Sequence, residues 1–354
     1  MSTPLTPGNP DCIRAHTGSK LSRELSPFHC SVATLGAKSM QAQSLLTSQQ
    51  IKEFISHERL PDRFREIIDA HYSPLATWLV QQRSPGETLF VGINGAQGTG
   101  KSTLAAFLKL ALESGIDWRV AVLSIDDFYL SRAERERLGK SVHPLLETRG
   151  APGTHDMTML AACVGQLKNL DAAATLSLPR FDKALDNRAD TDTWPVVSGP
   201  VDLIILEGWC VGSMPQSSDA LMQAINLLEQ NQDASGTWRR YVNEQLKGSY
   251  AALFAQLDKL IFLQAPNFDV VQQWRLEQEE KLAGSTAQSA ARIMSGEQIA
   301  HFISHFERLT TANLTVLPEL ADVVLEFNKN HACMRSRYST RLQPGRRCDR
   351  GPQV

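Results

Sequence analysis

The sequence is poor in cysteine, and the cysteines it has are scattered. Its 354 residues include six cysteines, with no C-x-x-C spacing among them. A disulfide framework or a structural zinc site requires paired or clustered cysteines. The sequence therefore argues against both, and it predicts free thiols in a reducing cytoplasm.

Long apolar runs and an excess of one charge are also missing. No apolar stretch approaches the roughly 20 residues that a membrane-spanning helix needs. The net charge is only −2, which gives no general attraction to nucleic acid. Hydrophobic residues nevertheless make up 42% of the chain, enough for a large core. We therefore expect a soluble globular protein, without a membrane or nucleic acid as partner.

Composition divides the chain into three parts. Residues 1–46 are rich in Ser, Thr and Pro and lack apolar periodicity, so we expect a poorly ordered extension there. Residues 47–332 carry periodic segments typical of a folded domain, beginning with a helical segment over 47–85. Residues 333–354 hold six arginines and one acid, which is typical of a solvated basic tail.

Short apolar strands alternate with helices through the central part. The pattern predicts strands at 88–93, 120–125, 201–206, 259–263 and 322–326. It predicts helices at 102–114, 156–169, 237–254, 268–282 and 296–312. This alternation indicates an α/β fold with a five-stranded, mainly parallel sheet and helices on both faces, in three layers.

The most informative segment follows the first predicted strand. It fits the P-loop pattern G-x-x-x-x-G-K-[ST], ending in Lys101 and Ser102. Its glycines let backbone N–H groups surround phosphate oxygens at a helix N-terminus, where the helix dipole favours an anion. We therefore predict a P-loop NTPase that uses ATP and Mg²⁺, with Lys101 reaching the β- and γ-phosphates and Ser102 binding the metal. The predicted nucleotide-binding residues are Gly95, Ala96, Gln97, Gly98, Thr99, Gly100, Lys101, Ser102 and Thr103.

Two acidic positions follow the second and third predicted strands. Ligands of open α/β sheets lie at the carboxyl ends of the strands, so these acids should face the phosphates. Asp126 is the candidate base for an attacking hydroxyl. Glu207 ends an apolar run like a Walker B acid and should share Mg²⁺ with Ser102, with Asp127 as a further metal or loop residue. Solvated turn aspartates and a strand-end salt bridge are the plainer alternatives.

Together these elements resemble the phosphoribulokinase, uridine kinase and pantothenate kinase group of P-loop kinases. The P-loop, the Asp-Asp-Phe-Tyr segment at 126–129 and the Glu-Gly pair at 207–208 occur in the order of that group. Narrower matches, at 149–156, 178–183 and 187–190, resemble the D-glycerate 3-kinase type, and the resemblance runs from about 48 to 330. It implies an ATP-dependent kinase for a small hydroxy acid, most simply one that converts D-glycerate to 3-phosphoglycerate.

The narrower segments also imply an acceptor site. A small acid needs cations and hydrogen-bond donors, and an Arg fork fits a carboxylate at two points. The acceptor-binding residues implied are Asp126, Tyr129, Arg149, His155, Arg180, Lys183 and Arg188. A structural hydrogen bond is an alternative for His155, and Asp156 fits helix capping as well as substrate contact.

Two later segments are expected to complete the site. By the resemblance, Arg275 belongs to a mobile lid and is catalytic, neutralising charge on the transferring phosphate. Its spacing fits a surface pair with Glu279 equally well. Residues 328–331, after the last predicted strand, are expected near the adenine by position alone.

Other functions stay open at the level of sequence. A GTPase switch would carry Asp-x-x-Gly after the third strand and Asn-Lys-x-Asp near the last strands, whereas the chain has Glu207-Gly208 and Asn328-Lys329-Asn330-His331. A nucleotide-binding module without chemistry, with its basic tail on RNA, is a second alternative. A kinase for uridine or pantothenate is a third, and the oligomeric state is unknown.

Overall fold

The computed structural model describes residues 45–283 and 296–340, with the side chains of 278–283 and 297 excepted. Most of the predicted N-terminal extension and the end of the predicted basic tail lie outside the described residues. Leu46 already belongs to the hydrophobic core, one residue before the predicted domain boundary.

The strands form one large sheet and two short ladders. They are β1 Leu89–Gly95, β2 Val120–Ser124, β3 Thr175–Ser177, β4 Phe181–Asp182, β5 Asn187–Arg188, β6 Val196–Ser198, β7 Leu203–Gly208, β8 Lys259–Gln264, β9 Val323–Phe327 and β10 Cys333–Tyr338. Within the described residues the large sheet has the order β10-β9-β8-β1-β7-β2. All its pairings are parallel except that of β10 with β9.

Helices surround this sheet and connect its strands. They are α1 Ser48–His57, α2 Phe64–Ile67, α3 Ser73–Gln82, α4 Lys101–Ile116, α5 Arg132–Ser141, α6 Met157–Lys168, α7 Leu227–Gln232, α8 Thr237–Gln245, α9 Ala251–Phe254, α10 Phe268–Ala283 and α11 Gly296–Leu320. π-Helical turns at Ile68–Tyr72 and Leu246–Tyr250 join α2 to α3 and α8 to α9. None of the helices in the described ranges combines the length and apolarity needed to cross a membrane.

Apolar side chains cover the sheet on both faces, because successive residues of a strand point to opposite sides. In β7, Leu203 and Ile205 belong to one buried cluster, whereas Ile204 and Leu206 belong to the other. Helix α4 packs its apolar side into the first cluster and α6 into the second. The predicted α/β architecture, with a mainly parallel sheet and helices around it, is confirmed.

A sixth strand corrects the predicted boundary at residue 333. Strand β10 pairs antiparallel with β9 at the edge of the sheet. Arg337 forms an ion pair with Glu326 of β9 at 2.6 Å, and the ring of Tyr338 lies 5.6 Å from that of Trp78. Edge strands tolerate charged side chains. The arginines of β10 are therefore compatible with a strand, although their number in the sequence predicted a solvated tail.

The carboxyl ends of the central strands lie at one edge of the sheet. Strand β7 lies between β1 and β2, and Glu207 is in register with Ile93 of β1 and Ser124 of β2. The P-loop follows β1, and a short 3₁₀ turn, Ile125–Phe128, follows β2. Parallel pairing therefore places the P-loop, Asp126 and Glu207 on the same side of the molecule.

Candidate active site

A cavity of about 640 Å³ opens at the carboxyl ends of β1, β2 and β7. The P-loop contributes Lys101 and Ser102 to its wall, and the ends of β2 and β7 contribute Asp126 and Glu207. Loops and residues of helices α10 and α11 line the other sides. The three sequence segments on which the kinase interpretation depends therefore meet in one cavity.

The P-loop has the backbone shape that its glycines allow. Gly98 and Gly100 have φ values of 79° and 87°, in the left-handed region that favours glycine. A Cβ on Gly98 would also lie 2.8 Å from the Cβ of Trp274. Helix α4 begins directly after this turn, at Lys101, so its unpaired N–H groups are directed at the cavity. This geometry suits the binding of a phosphate chain.

Ser102 and Glu207 are in direct contact. The Ser102 hydroxyl donates a hydrogen bond to Glu207 Oε1 at 2.9 Å. Both are hard oxygen ligands of the kind that Mg²⁺ prefers. Among the described residues no group of three or more His, Cys, Asp or Glu side chains could hold a metal. The pair therefore fits a Mg²⁺ ion that takes its other ligands from phosphate oxygens and water.

Lys101 lies under the loop, between two carboxylates. Its ammonium donates to the carbonyl of Ala96 at 3.1 Å. Burial lowers the pKa of Lys101, and the charges of Glu207 and Asp126 oppose part of that shift. The cation is thus close to the two acids predicted to serve the metal and the acceptor.

Asp126 receives a different donor on each carboxylate oxygen. The Tyr129 hydroxyl donates to Oδ1 and the Lys183 ammonium donates to Oδ2, both at 2.8 Å. Burial would raise the pKa of Asp126, but the Lys183 charge and the two hydrogen bonds outweigh it and hold that pKa below its usual range. Asp126 is therefore a carboxylate at neutral pH, and Tyr129 and Lys183 line the cavity beside it.

Arg149 lines the same cavity and is held in place from behind. Its guanidinium forms an ion pair with Asp186 and lies 5.8 Å from the centre of the Phe181 ring. Asp186 also pairs with the buried Arg135 at 2.8 Å. Two anchors fix a planar fork at the cavity wall, which suits two-point binding of a carboxylate.

Two predicted acceptor cations do not reach this cavity. Arg180 pairs with Asp127 at 3.0 Å, and Arg188 pairs with Asp156 at 2.6 Å. Asp156 also accepts from the Met159 N–H and caps α6, so helix capping is its observed role. Carboxylates in the same loops pair with both cations, and neither lines the cavity in the described structure, so their role as acceptor contacts stays a prediction.

Asp127, the further residue predicted for the metal or the loop, has its carboxylate engaged by the 178–183 loop. Its carboxylate accepts from Arg180 and from the backbone N–H of Phe181, and it does not line the cavity in the described structure. Burial raises the pKa of Asp127 and Arg180 opposes that shift. Asp127 therefore holds the 178–183 loop against the end of β2, the loop role that the sequence left open for it.

His155 lies behind Tyr129 instead of in the cavity wall. The two rings stack with centroids 4.7 Å apart, and His155 Nδ1 lies 2.6 Å from the Tyr250 hydroxyl. Tyr250 also accepts from the Gly153 N–H at 2.9 Å. His155 is 5% exposed, and burial lowers its pKa to about 4 although the charge of Asp126 opposes the shift. It supports Tyr129 as a neutral ring and does not line the cavity of the described structure, so the structural role is the one observed for it.

This burial predicts a specific pH dependence of stability. Below pH 6.5 the unfolded chain protonates this histidine while the folded protein excludes the proton down to about pH 4. The free energy of unfolding should therefore fall as the pH falls. Between pH 7 and pH 5 wild type should lose about 2 kcal/mol more than His155→Asn, whose amide oxygen can still accept from Tyr250.

Urea unfolding at the two pH values measures this difference. His57→Asn is the matched control, because His57 is 84% exposed on α1, and it should keep the wild-type pH dependence. Equal losses in wild type and His155→Asn would show that His155 is not held neutral in the folded protein.

The opposite wall comes from α10, α11 and the segment after β9. Arg275 lines the cavity 5.8 Å from the Phe302 ring centre, and the side chain of its alternative partner Glu279 lies outside the described residues. Trp274 stacks on His331 with centroids 4.4 Å apart, and both line the cavity. His331 falls in the segment predicted near the adenine, whereas Trp274 was not among the predicted site residues.

Sequence reasoning missed several further lining residues. Trp209, Phe302 and Phe306 present aromatic surface to the cavity, and Ser124 and Glu277 present polar groups. The apolar spacing of α11 is that of a core face, and Phe302 and Phe306 do pack in a buried cluster. The same two side chains also line the cavity. A strand-end position was the available signal for Ser124, as it was for Glu207.

Comparisons with known proteins show similarity to kinases. No protein-family model matches the chain. The uncharacterized kinase mug58 of Schizosaccharomyces pombe is 34% identical over 268 residues, covering 70% of this chain and 92% of the relative. The chloroplastic D-glycerate 3-kinase of Arabidopsis thaliana is 29% identical over 225 residues, covering 62% of this chain and 46% of the plant protein.

One of the similar solved structures is also a D-glycerate 3-kinase. The D-glycerate 3-kinase from Cryptococcus neoformans matches with a TM-score of 0.63 and 26% identity, covering 76% of this chain and 99% of the fungal one. The nucleotide loop, the acidic strand ends and these similarities lead to one conclusion. The chain belongs to the D-glycerate 3-kinase-like branch of the phosphoribulokinase, uridine kinase and pantothenate kinase group of P-loop kinases.

Proposed function

We propose that this kinase transfers the γ-phosphate of ATP to a hydroxyl of a small hydroxy acid, and that the acid is D-glycerate, giving 3-phosphoglycerate. The main support is that Asp126 lines the same cavity as the P-loop residues Lys101 and Ser102. Two further cations, Arg149 and Lys183, line that cavity on the acceptor side. The names of the plant and fungal relatives support the choice of acid.

The nucleotide side of the cavity would neutralise the negative charge of the phosphates. The backbone of Gly95–Thr103 would surround the β- and γ-phosphates, and Lys101 would offset their charge. Mg²⁺, held by Ser102 and Glu207, would supply further charge neutralisation at the phosphate oxygens. Arg275 would add a cation from the lid helix as charge spreads over the transferring group.

The acceptor side orients the attacking hydroxyl. Arg149 would bind the acceptor carboxylate at two points, since Asp186 and Phe181 hold its guanidinium in one plane. The acceptor hydroxyl would donate to a carboxylate oxygen of Asp126. As the acceptor hydroxyl oxygen bonds to the γ-phosphorus, the bond between that phosphorus and the bridging oxygen of ADP breaks, and Asp126 takes up the hydroxyl proton.

The thiols favour a reducing compartment for this reaction. Cys163, Cys210 and Cys333 are all buried and free. Buried free thiols persist where the surroundings keep them reduced. We therefore place the activity in the cytoplasm, with a small-molecule acid as the partner.

An ADP-release screen tests the proposal directly. The acceptors are D-glycerate, L-glycerate, pantothenate and uridine, each with ATP and with GTP. We expect ADP release that depends on D-glycerate and ATP, with turnover of about 1–100 per second. ³¹P NMR of the product should show a phosphate on the primary hydroxyl.

Each alternative would give a different result in this screen. Turnover with uridine or pantothenate alone would replace the acceptor but keep the kinase. A preference for GTP would revive the GTPase interpretation. RNA binding with a steep salt dependence, and no acceptor-dependent ADP release, would indicate a non-catalytic module.

A further inference from the structure

Asp126 is paired with a cation at the position where an acceptor hydroxyl would have to bind. The Lys183 ammonium lies 2.8 Å from Oδ2, and the Tyr129 hydroxyl lies 2.8 Å from Oδ1. A carboxylate paired with an ammonium holds its negative charge more strongly and is a weaker proton acceptor. In this state Asp126 is poorly suited to take a proton from any hydroxyl, including that of water.

Lys183 is the cavity cation best placed to change partners. Its side chain is 59% exposed, in the turn between β4 and β5. Arg149 has two anchors, an ion pair with Asp186 and the face of Phe181. A lysine also carries a point charge on a flexible stem, whereas an arginine binds in a fixed fork. An arriving anion can therefore attract Lys183 while Arg149 stays in place.

An acidic acceptor brings such an anion to the right place. Its carboxylate must lie within reach of Arg149, and Lys183 lines the same cavity beside Asp126. Exchanging Asp126 for the acceptor carboxylate keeps the ammonium paired, while the charge of Lys101 continues to act on the Asp126 carboxylate that Lys183 leaves. A neutral acceptor offers no group that competes with Asp126.

We propose that Lys183 masks Asp126 until the anionic group of the acceptor draws the ammonium away, so that the enzyme selects acidic acceptors at the catalytic step as well as in binding. This inference rests on the proposed hydroxy-acid kinase activity. It gives Lys183 two effects: it suppresses ATP hydrolysis in the absence of acceptor, and it discriminates against acceptors without a charge.

The test compares wild type, Lys183→Met and Lys183→Arg with D-glycerate, its neutral amide D-glyceramide, and no acceptor. In Lys183→Met the KM for D-glycerate should rise about tenfold because one cation is lost. ADP release without acceptor should rise about tenfold, because the unmasked base can activate water. The kcat ratio of D-glycerate to D-glyceramide should fall about tenfold. Lys183→Arg should keep the low hydrolysis rate of wild type.

Lys247→Met is the matched control, since Lys247 forms an exposed pair with Glu244 on α8 and its π-helical extension. It should behave as wild type in every assay. The inference is overturned if Lys183→Met lowers kcat for both acceptors by the same factor, or if hydrolysis without acceptor stays at the wild-type rate. If wild type shows no D-glycerate-dependent ADP release, the proposed function fails first, which is a separate outcome.

Discussion

An Asp126→Asn enzyme should bind ATP almost normally and turn over about 10²–10⁴-fold more slowly than wild type. The amide keeps the shape of the carboxylate and can still accept the Tyr129 hydrogen bond at 2.8 Å. It cannot take up the proton of the acceptor hydroxyl. The loss should therefore appear in kcat for D-glycerate, whereas the KM for ATP should change less than about threefold.

Asp127→Asn is the natural comparison for this experiment. It is the adjacent carboxylate, but it pairs with Arg180 and does not line the cavity of the described structure. Its replacement should loosen the 178–183 loop and lower kcat far less. Near-normal turnover by Asp126→Asn, with ATP still bound, would remove Asp126 from the base role.

The nucleotide half of the site could be predicted from the sequence because its signals are local. Lys101 and Ser102 belong to a continuous motif, and Asp126 and Glu207 directly follow apolar strands. Parallel strands bring such ends to one edge of a sheet. The contact between Ser102 and Glu207 at 2.9 Å, across 105 residues of chain, agrees with that rule.

The acceptor half could not be predicted in the same way. Its loops contain cations and carboxylates side by side, and sequence does not show which of them pair. Asp127 pairs with Arg180, and Asp156 pairs with Arg188, so of the cations predicted for the acceptor Arg149 and Lys183 line the cavity of the described structure. These pairings depend on the path of irregular loops, for which no periodicity exists.

The remaining differences between prediction and structure concern residues that have two different environments. Trp274 satisfies the apolar pattern of α10 and is 1% exposed, yet its ring stacks on His331 at the cavity wall. Strand β10 carries arginines that made residues 333–338 look like a tail, although backbone pairing with β9 decides their structure. Both Trp274 and β10 have two environments, and the sequence pattern indicated only one of them.

Glu207→Gln should lower kcat/KM for ATP by about 10²–10³-fold and raise the Mg²⁺ concentration needed for half-maximal rate. The amide can still accept the Ser102 hydroxyl, so the local packing survives while the negative charge is lost. Ser102→Ala should have a similar effect, because it removes the other oxygen ligand. Glu326→Gln is the control, since Glu326 pairs with Arg337 on the edge strand and does not line the cavity of the described structure.

The double variant separates a shared metal site from two independent roles. Residues that hold one ion act as a unit, so their effects are strongly non-additive. Ser102→Ala with Glu207→Gln should therefore lose little more activity than either single variant. If the two losses multiply, or if the Mg²⁺ dependence of Glu207→Gln is that of wild type, then the 2.9 Å contact is a structural hydrogen bond. In that case the reaction would not depend on the negative charge of Glu207, and other groups would have to hold the metal.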